Sequence, residues 1–396
     1  MPARLEDFPS HLPEVIVVGA GLAGTTAALL LGAQARRVML VDVRQSCPPV
    51  FKAEKIEPEQ VQLLEKFGLL QPLLPRAGRI QEIRSYYNGR HFRTAAAKQY
   101  GLSYSDIVNP LRGCLNGAVQ FKLGRVTSVE NSSDLQFVTL DNGERLVARL
   151  VVLACGLNGE LLADLGLERV MICKNHSEAV AFTLAKPNGT LFDFDAATCF
   201  PPSQKPSVDY LSLFRIGNTM RANLFAFPGF GESWSRRFLQ YPERELEVCF
   251  PYFRLAVGGY KIVSKIETSL IHLYRTEGDP VPGVVLIGDA CANVCPSTGM
   301  GLSKVFTDVD VLCSECVPRW LETPGMGANK LADYYNDPRK CAVDAKAFRD
   351  AQYRRRARTD RSFRWKIHRA RLGFEMRFGN PARTATNSAT EHEYQM

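Results

Sequence analysis

The stretch VIVVGAGLAGTTAALLLGAQARRVMLVD, Val15 to Asp42, constrains this chain more than any other. Val15–Val18 is a continuous β-branched run without alternation, the pattern of a strand buried on both faces of a parallel sheet. Gly19, Gly21 and Gly24 follow in the order G-x-G-x-x-G. Gly19 permits a tight turn, Gly21 lets the backbone approach a pyrophosphate, and Gly24 lets the next helix lie close to the strand. Thr25–Ala35 is good helix material, and a second strand, Arg37–Val41, ends at Asp42, 18 residues past Gly24. A carboxylate there can accept hydrogen bonds from ribose hydroxyls, while the helix N-terminus attracts a pyrophosphate through its free N–H groups and dipole. A lone glycine motif is weak, but strand, glycines, helix, strand and acid in this order predict a dinucleotide site. Asp42 argues against a 2′-phosphate and so against NADP; FAD and NAD both fit.

Composition sets the frame for that site. The 396 residues, 45% of them hydrophobic, are enough for two or three packed layers around a large core. Apolar runs such as Ala27–Leu31 are too short to span a bilayer, so no transmembrane segment is predicted. The start, MPARLEDFPSHLPE, has no apolar stretch of the secretory kind. Eleven cysteines lie without a framework spacing, which predicts reduced thiols in a cytoplasmic protein. Cys291/Cys295 and Cys313/Cys316 are close pairs without the partners a zinc site requires, so no metal is predicted. The net charge of +8 is uneven: Asp350–Arg371 carries nine Lys and Arg. A solvated helix face is the plainer reading, and a patch for an acidic partner or anionic surface the sharper one. No nucleic-acid motif accompanies it.

A second signal decides between the dinucleotides. In GVVLIGDACANVCPSTGMGLSKVFTDVDVL, Gly283 to Leu312, a buried strand Val284–Ile287 runs into Gly288-Asp289-Ala290. Pro296, Gly299, Met300 and Gly301 then lead into a helix carrying Asp308. This segment resembles the FAD-contact segment of the class A flavin monooxygenases, the para-hydroxybenzoate hydroxylase-like family. The likeness extends over most of the chain to about residue 350. It implies that Asp289 binds the ribityl chain and that backbone N–H groups around Gly299–Leu302 lie at the flavin pyrimidine end. It also implies that Lys52, or else Lys55, is the basic residue carried to the flavin, and that the strand around Val126 meets adenine. Where the family usually has an arginine, Tyr104 or Ser105 stands, with Arg112 a turn or two later; either Arg112 replaces it or that FAD contact is lost. The family's A-D-G reads Ala154-Cys155-Gly156, and its G-D-A-A-H reads GDACAN.

The implied fold is α/β: a Rossmann-like FAD-binding domain with an antiparallel β-sheet substrate domain. The FAD-binding part comprises residues 1–77, 104–170 and 276–350, and the substrate part 78–103 and 171–275. A basic helix over 351–379 and a disordered tail over 380–396 follow. Within the substrate part, Ile80–Phe92 reads as a hairpin turning at Asn88-Gly89. Tyr210, Phe214, Phe225 and Phe227 are pocket candidates. His176 and His272 read as structural, since neither has an acid–base partner in sequence. No catalytic side chain stands out, as suits a flavoenzyme whose cofactor carries the hard chemistry. The resemblance implies FAD-dependent hydroxylation of a small aromatic substrate by O₂ through a flavin C4a-hydroperoxide, with NAD(P)H as a transient reductant. Alternatives are a flavin-dependent halogenase or alkene reductase of the same superfamily, or a flavoprotein acting on a protein partner. The halogenase W-x-W-x-I-P is absent, and Phe225-Ala226-Phe227-Pro228 lacks the reductases' tyrosine. The altered A-D-G and the basic helix leave room for a separate reductase or an acidic protein partner.

Overall fold

The computed structural model describes residues 9, 11–202, 207–228 and 233–378. The proposed tail, 380–396, lies outside the described residues. Five strands form a parallel sheet in the order Val284–Leu286, Leu150–Leu153, Val15–Val18, Val38–Asp42, Val119–Leu123. Their unbroken apolar character follows from burial on both sides. Val15 and Val17 point into a core shared with the helix Leu22–Ala33 and with Trp320 and Leu331. Ile16 and Val18 point the other way, against Val129, Val138 and Leu146 of a small three-stranded sheet. Each such side chain contributes about 1.5–3 kcal/mol when fully buried. Helix and strand can approach only because residue 24 is glycine: a Cβ there would lie 1.8 Å from the Gly19 carbonyl oxygen.

The second layer is a sheet of nine strands. Its path runs Lys261–Ile262, Glu168–Ala185, Thr219–Ala226, Val208–Ile216, Ala196–Phe200, Gly78–Tyr87, Arg90–Gly101, Lys55–Ile56, and Glu267–Glu277 also pairs with Glu168–Ala185. The hairpin turns at Asn88 (φ 51°) and Gly89 (φ 75°), both left-handed as a primed turn demands. The sheet departs from the antiparallel expectation at one seam, where Ala196–Phe200 runs parallel to Gly78–Tyr87. Sequence-local hairpins make antiparallel pairs, and this seam joins two of them without a local turn. Lys55–Ile56 pairs into this sheet although it lies in the segment 1–77. Three short helices, Ser233–Gln240, Pro242–Cys249 and Phe253–Val257, fall in a region read as strands. Their Trp234, Phe238, Leu246 and Phe253 cover one face of the sheet over Val180, Phe182 and Leu224.

The basic run is two helices rather than one over 351–379. Pro338–Thr359 is capped by Asp337, which accepts from the N–H groups of Arg339 and Lys340 at 2.9 and 3.2 Å. A break at Asp360 precedes Phe363–Phe378. The first helix is not a solvated face: Arg354 and Arg358 reach the buried Asp209 of the large sheet at 3.1 and 3.2 Å. Among the described residues no helix is long and apolar enough to cross a membrane.

Candidate functional site

A cavity of about 620 Å³ lies between the two large sheets. Nine of the residues singled out by sequence line it: Gly19, Gly21, Asp42, Lys52, Arg112, Asp289, Pro296, Gly299 and Gly301. At one end is the glycine loop. Gly19 holds φ +101°, and a Cβ there would lie 2.6 Å from the Ala154 carbonyl oxygen. The Asp42 carboxylate accepts from Ala20 N at 2.7 Å and Arg44 N at 2.8 Å, leaving lone pairs for further donors. Arg112 donates from Nε to Ala20 O at 2.8 Å and from a terminal nitrogen to Arg44 O at 2.9 Å, tying the glycine loop to the loop after Asp42. Tyr104 stands at the start of the helix Leu22–Ala33, its hydroxyl accepting from Leu22 N at 3.1 Å. Burial pushes its phenol up to about 12, so the hydroxyl stays neutral and keeps a proton to donate. Lys52 lies over the Tyr104 ring, Nζ 5.4 Å from its centre.

Midway along the cavity is the second segment. Asp289 makes no side-chain hydrogen bond among the described residues, so its carboxylate is open to the cavity. It is held by its neighbour: Gly288 N donates to Asp308 Oδ2 at 2.9 Å. Asp308 is buried between Lys304 and Lys340, each 2.8 Å away. Burial pushes its carboxyl up, but the two lysines outweigh it and hold Asp308 below the usual carboxylate range. Gly299, at φ +70°, starts the helix Met300–Val309, and Gln60 donates to its carbonyl at 3.0 Å. Met300 does not line the cavity; its N–H is taken by Thr298 Oγ1 at 3.2 Å. The next two residues, Gly301 and Leu302, do line it.

Four of the expected cofactor-binding residues lie outside the lining. Gly24 serves packing, Gly288 the Asp308 contact, Met300 the helix cap. Val126 packs against the core beneath the three-stranded sheet, and nearby Gly124 donates its N–H to Asp42 O at 2.9 Å.

The far end is walled by the large sheet. Tyr210, Phe214 and Phe225 line it; Phe227 instead packs against His176. His176 is buried away from the cavity, and His272 accepts from Asn175 N at 2.9 Å, a structural contact. Sequence reading missed Glu54, Ser212, Asn223 and Ser269, which also line this end. Glu54 accepts from Arg221 at 2.9 Å and Asn223 at 3.1 Å.

These elements fit FAD. The glycine loop brings bare backbone to the cavity, the carboxylates of Asp42 and Asp289 line it, and the helix start at Gly299 faces it. Residues 13–208 match the family model described as an FAD-binding domain. The chain is 24% identical over 348 residues to 6-hydroxynicotinate 3-monooxygenase of Pseudomonas fluorescens, covering 82% of this chain and 86% of that one. The chain is an FAD-dependent oxidoreductase similar to the class A FAD-dependent monooxygenases. Its fold is similar to that of p-nitrophenol 4-monooxygenase from Pseudomonas putida (TM-score 0.73, 18% identity, 94% and 96% of the chains covered). It is also similar to that of Klebsiella pneumoniae HpxO, solved with FAD and uric acid (0.70, 17%, 96% of each).

Arg112, the expected stand-in for the family's usual arginine, is taken up by the carbonyls of Ala20 and Arg44, while Tyr104 stands at the helix start with Lys52 over its ring. The acid of A-D-G is replaced by Cys155, which lines the cavity and lies 3.2 Å from Asn158 O. Burial pushes its thiol up, so it is not a reactive thiolate.

Proposed function

We propose that this protein hydroxylates a small aromatic molecule, using FAD and O₂. The observation that carries this is the continuity of one cavity: glycine loop, Asp289 and the Gly299 helix start line it together with Tyr210, Phe214 and Phe225. FAD, when bound, supplies the electrons that activate O₂. The chain's own residues would then bind and orient. In this reading Asp42 and Asp289 accept from the cofactor's hydroxyls, and Tyr104 and Lys52 serve its pyrophosphate. The N–H groups of Gly301 and Leu302 face its electron-rich end, where a helix start stabilises negative charge. The aromatic wall excludes water and holds the ring. The division into a discontinuous FAD-binding part (1–77, 104–170, 276–350) and a substrate part (78–103, 171–275) is supported by the sorting of strands into two sheets.

The same reading makes NAD(P)H a weak, transient reductant, because Cys155 stands where the family has a carboxylate. Losing one charged hydrogen bond lowers affinity roughly 10- to 150-fold. Arg354 and Arg358 are engaged by Asp209 and so offer nothing to an acidic protein or reductase partner. A reducing, cytoplasmic setting is supported by the burial of Cys199, Cys249, Cys295, Cys313 and Cys316.

The test is the cofactor and its reduction. The purified protein should be yellow, release FAD rather than FMN or NAD, and oxidise NADPH faster when a phenol is added. In stopped-flow reduction, Cys155→Asp should speed the flavin's bleaching. Saturation of the native protein at micromolar NADPH would contradict the reading of Cys155.

A further inference from the structure

The charge of the cavity is divided between its ends. Its cations, Arg44, Lys52, Lys55 and Arg112, belong to the glycine-loop side or are paired. Arg112 is held by backbone carbonyls, Lys52 by the Tyr104 ring, and Lys55 by Glu57 at 2.8 Å. Among the described residues the sheet contributes one lining cation, Lys55, and Glu57 already pairs it. The charges there are Glu54, buried in the lining, and behind it Arg221, which Glu54 shares with Glu267. Two carboxylates share this one guanidinium, so it is not free to pair a ligand anion.

The remaining polar groups are neutral. The Ser212 and Ser269 hydroxyls make no side-chain hydrogen bond among the described residues. Asn223 gives its Nδ2 to Glu54, which leaves its Oδ1 buried without a partner. A buried acceptor in that state calls for a donor. A ligand carboxylate would meet Glu54 with no cation to pair it, and an unpaired buried charge is strongly unfavourable.

We infer that the substrate is an uncharged ring bearing a hydroxyl or ring N–H, read by Ser212, Ser269 and Asn223 between aromatic faces, and that ring carboxylates are excluded. This rests on the hydroxylase reading above and specifies its substrate class.

The test titrates the FAD-loaded protein with neutral rings and their carboxylated counterparts, following flavin absorbance. The pairs are phenol with para-hydroxybenzoate, catechol with protocatechuate, and 2-hydroxypyridine with 6-hydroxynicotinate. At least one neutral ring should perturb the flavin and bind at least ~100-fold more tightly than its carboxylated partner. Ser269→Lys, which places a cation at this end, should narrow that gap at least ~10-fold while the protein stays yellow. A carboxylated ring that binds as tightly as its parent, no flavin response to any neutral ring, or an unchanged gap in a yellow Ser269→Lys protein overturns the proposal. Protein that holds no FAD fails the hydroxylase reading before any titration, so the two failures are distinct.

Discussion

Asp289 lines the cavity with an open carboxylate, and Asp42 beside the glycine loop keeps lone pairs free. Asp289→Ala should therefore weaken FAD binding by about 1.5–3 kcal/mol, roughly 10- to 150-fold, without unfolding the chain. Titration of apoprotein with FAD measures it, and an unchanged dissociation constant contradicts the assignment. His176 illustrates the opposite case, a titratable group that serves the core. Burial, with Arg355 nearby, pushes its imidazole down to about 4. The folded state keeps it neutral while the unfolded chain protonates near pH 6.5, so its contribution is full above about pH 6.5 and is lost as pH falls toward 4. His176→Phe should then lose less melting temperature between pH 7.5 and 5 than the native protein does; an equal loss would contradict this. Sequence indicated Asp42 and Asp289 because each follows a recognisable strand and glycine. It could not indicate Asn223 or Ser212. Their strands are buried on both faces, beneath helices on one side and over the cavity on the other, so alternation does not report facing.

At the level of elements, the helix Met300–Val309 is set by a charge cluster. Asp308 fixes Gly288 and neutralises Lys304 and Lys340. Asp308→Asn leaves two buried ammonium groups with only Asp344 nearby, at 3.2 and 3.0 Å. It should cost about 3–5 kcal/mol of stability and loosen FAD together with it. Chemical denaturation of the FAD-loaded protein checks this, and an unshifted midpoint contradicts it. The parallel strands and the Asn88-Gly89 hairpin were legible because period and turn chemistry are local. The helices between Ser233 and Val257 were not. They are 5 to 8 residues long, too short to persist on propensity, and are held by Trp234, Phe238 and Phe253 against the sheet. Two residues of the basic run, Arg354 and Arg358, were not legible for a related reason: their counter-charge, Asp209, lies some 150 residues earlier in the chain.

For the whole molecule, the parallel sheet presents a nucleotide cradle and the nine-stranded sheet closes it with an aromatic wall that also carries Ser212, Asn223 and Ser269. The cradle could be read from two glycine segments far apart in sequence. The wall could not, because its chemistry depends on strand register and on Lys55–Ile56 joining the opposite sheet. The central claim is that this closure directs oxygen onto a ring, and the origin of the product's oxygen tests it most directly. FAD-loaded protein, reduced anaerobically with dithionite so that no nicotinamide is needed, is mixed with ¹⁸O₂ and the tightest-binding neutral ring of the six compounds above. A single turnover should give a ring-hydroxylated product carrying one ¹⁸O atom. Oxygen drawn from water, a ring that gains hydrogen and no oxygen, or flavin reoxidation that yields only hydrogen peroxide would contradict it.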